Sequence, residues 1–441
     1  MPALVSGIEP TPVLPLSYET REPRTRVRWV ICGLLFFATT INYVDRAVIG
    51  VLKSTLQHDL HWTDQQYGHV VTVFQFAYAF GYLFAGGLMD RVGVRIGYAL
   101  AVTLWSFAAM ATGLARGLFS FAIARGALGL AEGGNFPAAV KTVAEWFPKK
   151  ERALAAGLFN AGANIGAILT PAVVPWITLH YGWRAAFILT GAAGLFWLIG
   201  WLLLYHPPQQ HPAVSPAELA HIRSDPPDPL VKIPWLQLLG IRSVWGVVIS
   251  SSLTGPIFWF YLFWVPGFLY DRHGLNLKTM GPPLVTIYLI SDIGSVLGGW
   301  FSSRLVKHGW NPISARKATM LICACCVIPV FFASRVSGLW TATLLISLAA
   351  AAHQAWVANI YTLVSDVLPR YTVSSVVGLQ GFGGSIAAMG FTELVGWVLT
   401  RTHNYALPFA WAPCAYFLAL LTLHTLLPRP FSGGGNHRGS P

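Results

Sequence analysis

Charge is what this sequence has least of. Only 10% of its 441 residues are Asp, Glu, Lys or Arg, against roughly a quarter in soluble domains, which excludes a water-solvated globular protein. Cysteine is also scarce. Cys32, Cys323, Cys325, Cys326 and Cys414 stand in apolar runs with no histidine or carboxylate at ligand spacing, so they indicate neither a zinc site nor a disulfide framework and are expected to be buried, inert thiols. There is no phosphate loop of the glycine-lysine-serine type, which disfavours a primary pump, and no metal cluster. No nucleophile and base stand together, so neither an enzyme nor a cofactor is implied. The first 20 residues lack a basic start followed by an apolar core and carry Pro10, Pro12 and Pro15, so a loose cytosolic tail is expected, not a cleaved signal. The net charge is +12, yet the basic residues are scattered singly between apolar runs and form no stripe for nucleic acid.

What is abundant is apolar. Hydrophobic residues make up 54% of the chain, with 43 glycines, 29 prolines and 18 tryptophans, residues that spanning helices and their interfacial belts tolerate or favour. A hydrocarbon core about 30 Å thick takes roughly 20 residues per helix. Apolar runs fall at 29–52, 68–88, 97–115, 118–140, 153–179 and 183–205, and again at 245–269, 282–303, 318–333, 338–364, 373–399 and 405–427. The expected organisation is an N-terminal tail (1–28), a six-helix bundle (29–205), a linker (206–242), a second six-helix bundle (243–427) and a C-terminal tail (428–441). The linker carries Pro207, Pro208, Pro212, Pro216, Pro226, Pro227 and Pro229, a density at which no regular helix is expected to continue. Placing both termini and the linker in the cytosol puts nineteen lysines and arginines on that side and seven on the other, the bias that sets orientation in a membrane.

Between the second and third spans stands Gly86-Gly87-Leu88-Met89-Asp90-Arg91-Val92-Gly93-Val94-Arg95. At the matching place in the second half, Gly298-Gly299-Trp300-Phe301-Ser302-Ser303-Arg304 repeats it in weaker form. Two six-helix halves in parallel relation point to a rocking carrier with its substrate between them. The first segment resembles the signature of the major facilitator superfamily, departing from it at Val94, where a basic residue usually stands. The resemblance implies an all-α membrane protein of the major facilitator fold, with 12 transmembrane helices in two pseudo-symmetric six-helix bundles. Gly86, Gly87, Asp90, Arg91, Gly93 and Arg95 form the expected gating motif: the glycines let helices approach, and Asp90 pairs across the half or caps a neighbouring helix end.

Few ionisable residues remain inside the spans: Asp45 and Arg46 in the first, Arg125 and Glu132 in the fourth, Asp292 in the eighth and Glu393 in the eleventh. Each costs on the order of 2.5 to 3.5 kcal/mol at the bilayer centre, so each is a functional candidate by default. Arg125 and Glu132 are seven apart, two helical turns, and share a face about 10 Å long. Asp45 and Arg46 point about 100° apart. The expected arrangement turns Asp45 towards Arg125 or the face of the fourth span and leaves Arg46 free for an anion, since a guanidinium fork fits a carboxylate. A carboxylate in low dielectric can change protonation near neutral pH, as a proton carrier requires. Asp45 and Glu132 are therefore expected to couple protons together with Arg125. Asp292 is a weaker candidate, and Glu393 is expected to be structural. The second half offers Trp259, Tyr261, Tyr288, His353, Gln354, Asn359 and Gln380, amides and aromatics that suit hydroxyls and the C–H face of a sugar.

The segments Asn42-Tyr43-Val44-Asp45-Arg46, Ala124-Arg125 through Glu132-Gly133, Asn135-Phe136-Pro137-Ala138 and Glu145-Trp146-Phe147-Pro148 resemble the anion:cation symporter branch. Phe159-Asn160 and Gly182-Trp183-Arg184 extend the match. In the second half, Ala352-His353-Gln354-Ala355, Ser365-Asp366-Val367 and Gly378-Leu379 resemble the hexuronate carriers of that branch, which take up galacturonate and glucuronate with protons. The resemblance implies that Arg46 holds the substrate carboxylate and that Tyr43 and Tyr78 contact the polyol. Asp45, Arg125 and Glu132 then couple proton to substrate. Where some sugar-acid members carry a glutamine, this chain has Ala163, which leaves Asn160 or Asn164 to supply polar contacts. The function expected is import of a sugar-acid monoanion with protons, by a monomer in the bacterial-type inner membrane. The alternatives are another organic anion (an aldonate, a glucarate-type diacid or a phthalate-like aromatic acid) and a sugar-acid sensor that does not transport.

Overall fold

The computed structural model describes residues 25–224, 235–367 and 373–427; the expected tails at 1–24 and 428–441 lie outside them. Helices α1 (Val27–Val51), α2 (Lys53–Leu60), α3 (Asp64–Val92), α4 (Val94–Leu114), α5 (Leu118–Glu132), α6 (Asn135–Trp146), α7 (Lys149–Tyr181) and α8 (Trp183–Leu204) make up the first half. Two short helices follow, α9 (Pro216–Ile222) and α10 (Trp235–Leu239). The second half contains α11 (Arg242–Phe263), α12 (Val265–His273), α13 (Gly281–Lys307), α14 (Pro312–Val327), α15 (Leu339–Val367), α16 (Val373–Thr402) and α17 (Ala406–Leu426). Among the described residues there is no strand, and eleven helices are long and apolar enough to cross a membrane.

The expected fourth span is the exception. It breaks at Gly133 and Gly134 into α5 and α6. The break lies where α5 presses against α3: a Cβ on Gly133 would meet the backbone of Gly81 and Tyr82, and one on Gly129 the carbonyl of Phe74. Glycine here sets how closely two helices approach. In the second half Gly294 and Gly298 let α13 lie on Ala351 and Ala355 of α15.

The cysteine expectation holds only in part. Cys32 and Cys323 are buried, Cys326 is half-buried, and Cys325 and Cys414 are exposed on helix faces.

The proline-rich linker also differs from expectation, because α9 forms inside it. Pro216 occupies the first turn, where a missing N–H costs nothing, and the Ser215 hydroxyl accepts from Glu218 N–H. The helix docks on the start of α1. The Glu218 carboxylate is fully buried and accepts from the N–H groups of Val27 and Arg28 (both 3.2 Å) and from the Arg28 guanidinium (2.9 Å). It thus caps, from another segment, a helix whose own N-cap residue, Arg26, makes no side-chain cap. Arg28 also pairs with Glu151 at 3.0 Å, and His221 of α9 reaches the same carboxylate at 2.9 Å. Glu218→Ala is expected to destabilise the detergent-solubilised protein by about 3 kcal/mol, the lower end for breaking a buried pair because Arg28 keeps Glu151. A melting temperature within a degree of wild type would remove α9 from the stabilising contacts.

Partial burial raises the Glu151 pKa, but the His221 and Arg28 hydrogen bonds and the Arg28 charge lower it more, to a net value below its usual 4.5. A depressed carboxylate contributes stability above its unfolded pKa and loses it as pH falls through the folded value. Melting temperature should therefore drop on acidification below about pH 4.5, and less steeply in Glu151→Gln.

Candidate functional site

The two halves meet at the end that carries α2 and α12. Tyr67 donates to the Phe263 carbonyl (2.9 Å), Gln65 N–H to Thr400 (2.8 Å), and His69 pairs with Glu393 (2.8 Å). That pair gives Glu393 the structural place expected of it. Gly50 of α1 lies against the Leu262 carbonyl of α11.

Below this seal lies an aromatic layer, and at its centre is Arg46. Phe74 and Tyr78 of α3 meet Trp259 of α11, with ring centroids 6.2 and 5.9 Å from it. The Arg46 guanidinium carbon lies 4.5 Å from the Tyr78 ring, 4.7 Å from Tyr43, 5.5 Å from Trp259 and 5.9 Å from Phe74. Such faces hold a cation without neutralising it. The guanidinium is not free, contrary to expectation. Its Nε donates to Glu132 at 3.0 Å and its Nη2 to Asn42 at 3.0 Å. One Glu132 oxygen takes this ion pair and the other, equally buried, has no hydrogen-bond partner among the described residues. The whole group is within 1% of full burial, where an ion pair is strong and a lone charge is costly.

Asp45 was expected to turn towards Arg125 or the face of the fourth span; it lies within electrostatic reach of Glu132 and Arg125 of α5, but Arg125 makes no hydrogen bond to its carboxylate. The Arg125 guanidinium packs 4.6 Å from Phe74 and donates to the main-chain carbonyls of Asp45 (3.2 Å) and Arg46 (3.4 Å). The Asp45 carboxylate is buried beside the Thr190 side chain, and among the described residues neither of its oxygens has a partner within hydrogen-bond distance. Asn135 connects these helices, accepting from Tyr98 (2.5 Å) and donating to Thr39 (3.3 Å).

On α7, Asn160 is exposed and Asn164 half-buried. Asn160 lies about 200° around the helix from Leu158, so this amide face opposes the apolar Leu158, Ile165 and Leu169 face and points inward. On α15, Gln354 and Tyr361 share a face, being two turns apart, and Tyr361 is 45% exposed although electrostatically close to Tyr43, Tyr78 and Tyr82. Tyr361 therefore marks the side of α15 that is turned towards the tyrosines of the first half. His353 faces elsewhere, 2.5 Å from the Tyr416 hydroxyl and stacked on Phe258. Asn359 lies about 140° from Gln354 and donates to the carbonyls of Gly298 and Ala355, tying α13 to α15. Asp292 of α13 is half-buried.

Tyr82 and Tyr361 escaped the sequence analysis. The available signal was spacing: Tyr82 is one turn beyond Tyr78, and Tyr361 two turns beyond Gln354.

The gating motif forms the last turns of α3 and the start of α4. Gly86 and Gly87 have open space where a Cβ would stand, so they do not serve close helix approach; Gly93, at φ +79°, makes the turn between the helices. Asp90 pairs across its own half with Lys141 of α6 at 2.6 Å. Arg95 donates to the Leu202 carbonyl at 2.7 Å, and Arg91 is exposed.

Residues 35–392 match the family model described as the Major Facilitator Superfamily. The chain is 31% identical over 407 residues to the hexuronate transporter of Escherichia coli K12, covering 91% of this chain and 94% of that one. It is 33% identical over 308 residues to the galacturonate transporter of Dickeya chrysanthemi, covering 68% and 89%. An inward-open xylose transporter structure from E. coli superimposes with a TM-score of 0.73 at 15% identity, over 92% of this chain and 98% of that one.

Proposed function

The chain belongs to the major facilitator superfamily, and from that premise we propose that it imports a sugar-acid monoanion, a hexuronate such as galacturonate or glucuronate, together with protons. The observation that carries this reading is the sharing of Arg46. A substrate carboxylate and the Glu132 carboxylate compete for one caged guanidinium. A proton on Glu132 releases Arg46 to the substrate, and its loss restores the internal pair and expels the anion. Proton and substrate therefore travel together. Asp45, buried without a hydrogen-bond partner, is the second proton carrier, and Arg125, held on the carbonyls of α1, fixes the helix that carries both Asp45 and Arg46.

The monoanion follows from charge. Of the two arginines at this level, Arg125 is occupied by main-chain carbonyls, which leaves one guanidinium for one carboxylate. Hydroxyls are met by Tyr43, Tyr78, Asn160, Asn164 and Gln354, while His353 and Asn359 act a layer behind, shaping α15. The names of the two bacterial relatives support the same substrate class. The carrier works as a monomer in the inner membrane with both termini cytosolic, and the substrate path beside Tyr361 opens to the cytosol.

Ligand-dependent thermal shift tests the substrate. Galacturonate and glucuronate should raise the melting temperature in proportion to the logarithm of concentration, with galactonate weaker and glucarate and phthalate inert. Stabilisation by glucarate or phthalate alone would overturn the hexuronate assignment.

A further inference from the structure

At the sealed end, one charged side chain crosses from one half to the other. Lys53, the first residue of α2, is 1% exposed. Its stem runs over Gly267 of α12, where a Cβ would come within 2.6 Å of Cδ and 2.9 Å of Nζ. The ammonium meets Asp64 of its own half at 2.6 Å. From the second half it meets the Tyr405 hydroxyl at 3.4 Å and Asp271 at 3.8 Å, and Tyr405 donates to Asp271 at 2.7 Å. The rings of Trp264 and Tyr67 lie 5.3 and 5.8 Å away.

We infer that Lys53 is the latch of this end of the translocation path, with Asp271 and Tyr405 as its keepers and Asp64 as its resident counter-ion. The inference rests on the alternating-access reading above. A lone ammonium is too costly to rebury each time this end closes. Asp64 sits on the same half, so Lys53 remains paired when the halves part. Asp271 is 44% exposed even in the closed state, so water takes up its charge once Lys53 leaves. Opening therefore breaks only the contacts to Tyr405 and Asp271 and strands no charge. The keepers hold the two halves together, and the counter-ion lets the ammonium be buried between them.

The test uses the full chain in detergent with the five native cysteines replaced by serine or alanine and a reporter Thr392→Cys. Thr392 is 2% exposed on α16, and its carbonyl faces Gly68 across the seam. The rate of labelling by a hydrophilic maleimide reads how often this end opens. Asp271→Asn and Tyr405→Phe should each raise it about tenfold, as the loss of one charge-assisted hydrogen bond implies. Asp271→Glu, which keeps the charge, should stay near the parent rate, whereas a general loosening would not be rescued. Asp64→Asn should also raise the rate, because the ammonium then loses its nearest counter-ion in the closed, buried state while water solvates it in the open one. Unchanged rates in both keeper variants, or a rise in Asp271→Glu as large as in Asp271→Asn, would overturn the latch. No substrate is needed, so this outcome is independent of whether the chain transports a hexuronate.

Discussion

Arg46→Ala is expected to reduce uptake of galacturonate into proteoliposomes by at least about thirtyfold, because truncating one partner of a buried charge pair costs on the order of 2 to 5 kcal/mol. Two losses combine in that figure. The substrate carboxylate loses its only available cation, and Glu132 is left buried without its hydrogen-bonded ion pair, with only the more distant Arg125 charge to compensate it. Arg46→Lys separates the two. An ammonium keeps the charge, but cannot donate to Glu132 and Asn42 from one planar fork as Arg46 does. It should retain residual uptake at a raised KM. Initial rates over a substrate series decide the matter, and uptake by Arg46→Ala at wild-type affinity would exclude Arg46 as the carboxylate clamp.

The second large effect concerns Glu132→Gln. Glutamine keeps the shape and the hydrogen bond to Arg46 but takes up no proton, so Arg46 is never withdrawn from the substrate by a competing charge. Exchange of labelled for unlabelled substrate should continue, while accumulation driven by a pH gradient should vanish. The Glu132 proton alone, travelling with a monoanion, lets a gradient of one unit sustain about tenfold accumulation in the wild type, since one pH unit is worth about 1.4 kcal/mol. In the variant the ratio should fall to about one. Accumulation persisting at the wild-type level would take Glu132 off the proton path and leave Asp45 as the carrier.

The spans were legible because bilayer thickness imposes a length and an apolar character that single residues do not disturb. The Gly133-Gly134 break was not, since an apolar run reads the same whether the helix inside it is continuous or interrupted. Candidate charges at positions 45, 46, 125 and 132 were visible for the opposite reason: a charge in a spanning segment is rare. Their pairing was not visible. Arg46 and Glu132 are separated by 86 positions, and helical periodicity orders residues on one helix but gives no azimuth of one helix against another. Lys53 counted in the sequence only as one of seven cations on the outer side, and its burial depends on Gly267 leaving room in a different half. Glu218 was hidden by its surroundings. A proline-rich segment suggests an irregular linker, yet Pro216 stands at the one place where a helix accepts proline freely.

The central claim is that a proton gradient drives a sugar-acid monoanion through the site around Arg46. Its most direct test is uptake of radiolabelled galacturonate into proteoliposomes containing the wild-type chain, alkaline inside, with and without a protonophore. The account predicts accumulation above the external concentration that collapses on adding the protonophore and is competed by glucuronate but not by phthalate. Uptake that merely equilibrates whatever the pH gradient, or that only phthalate competes, would contradict it.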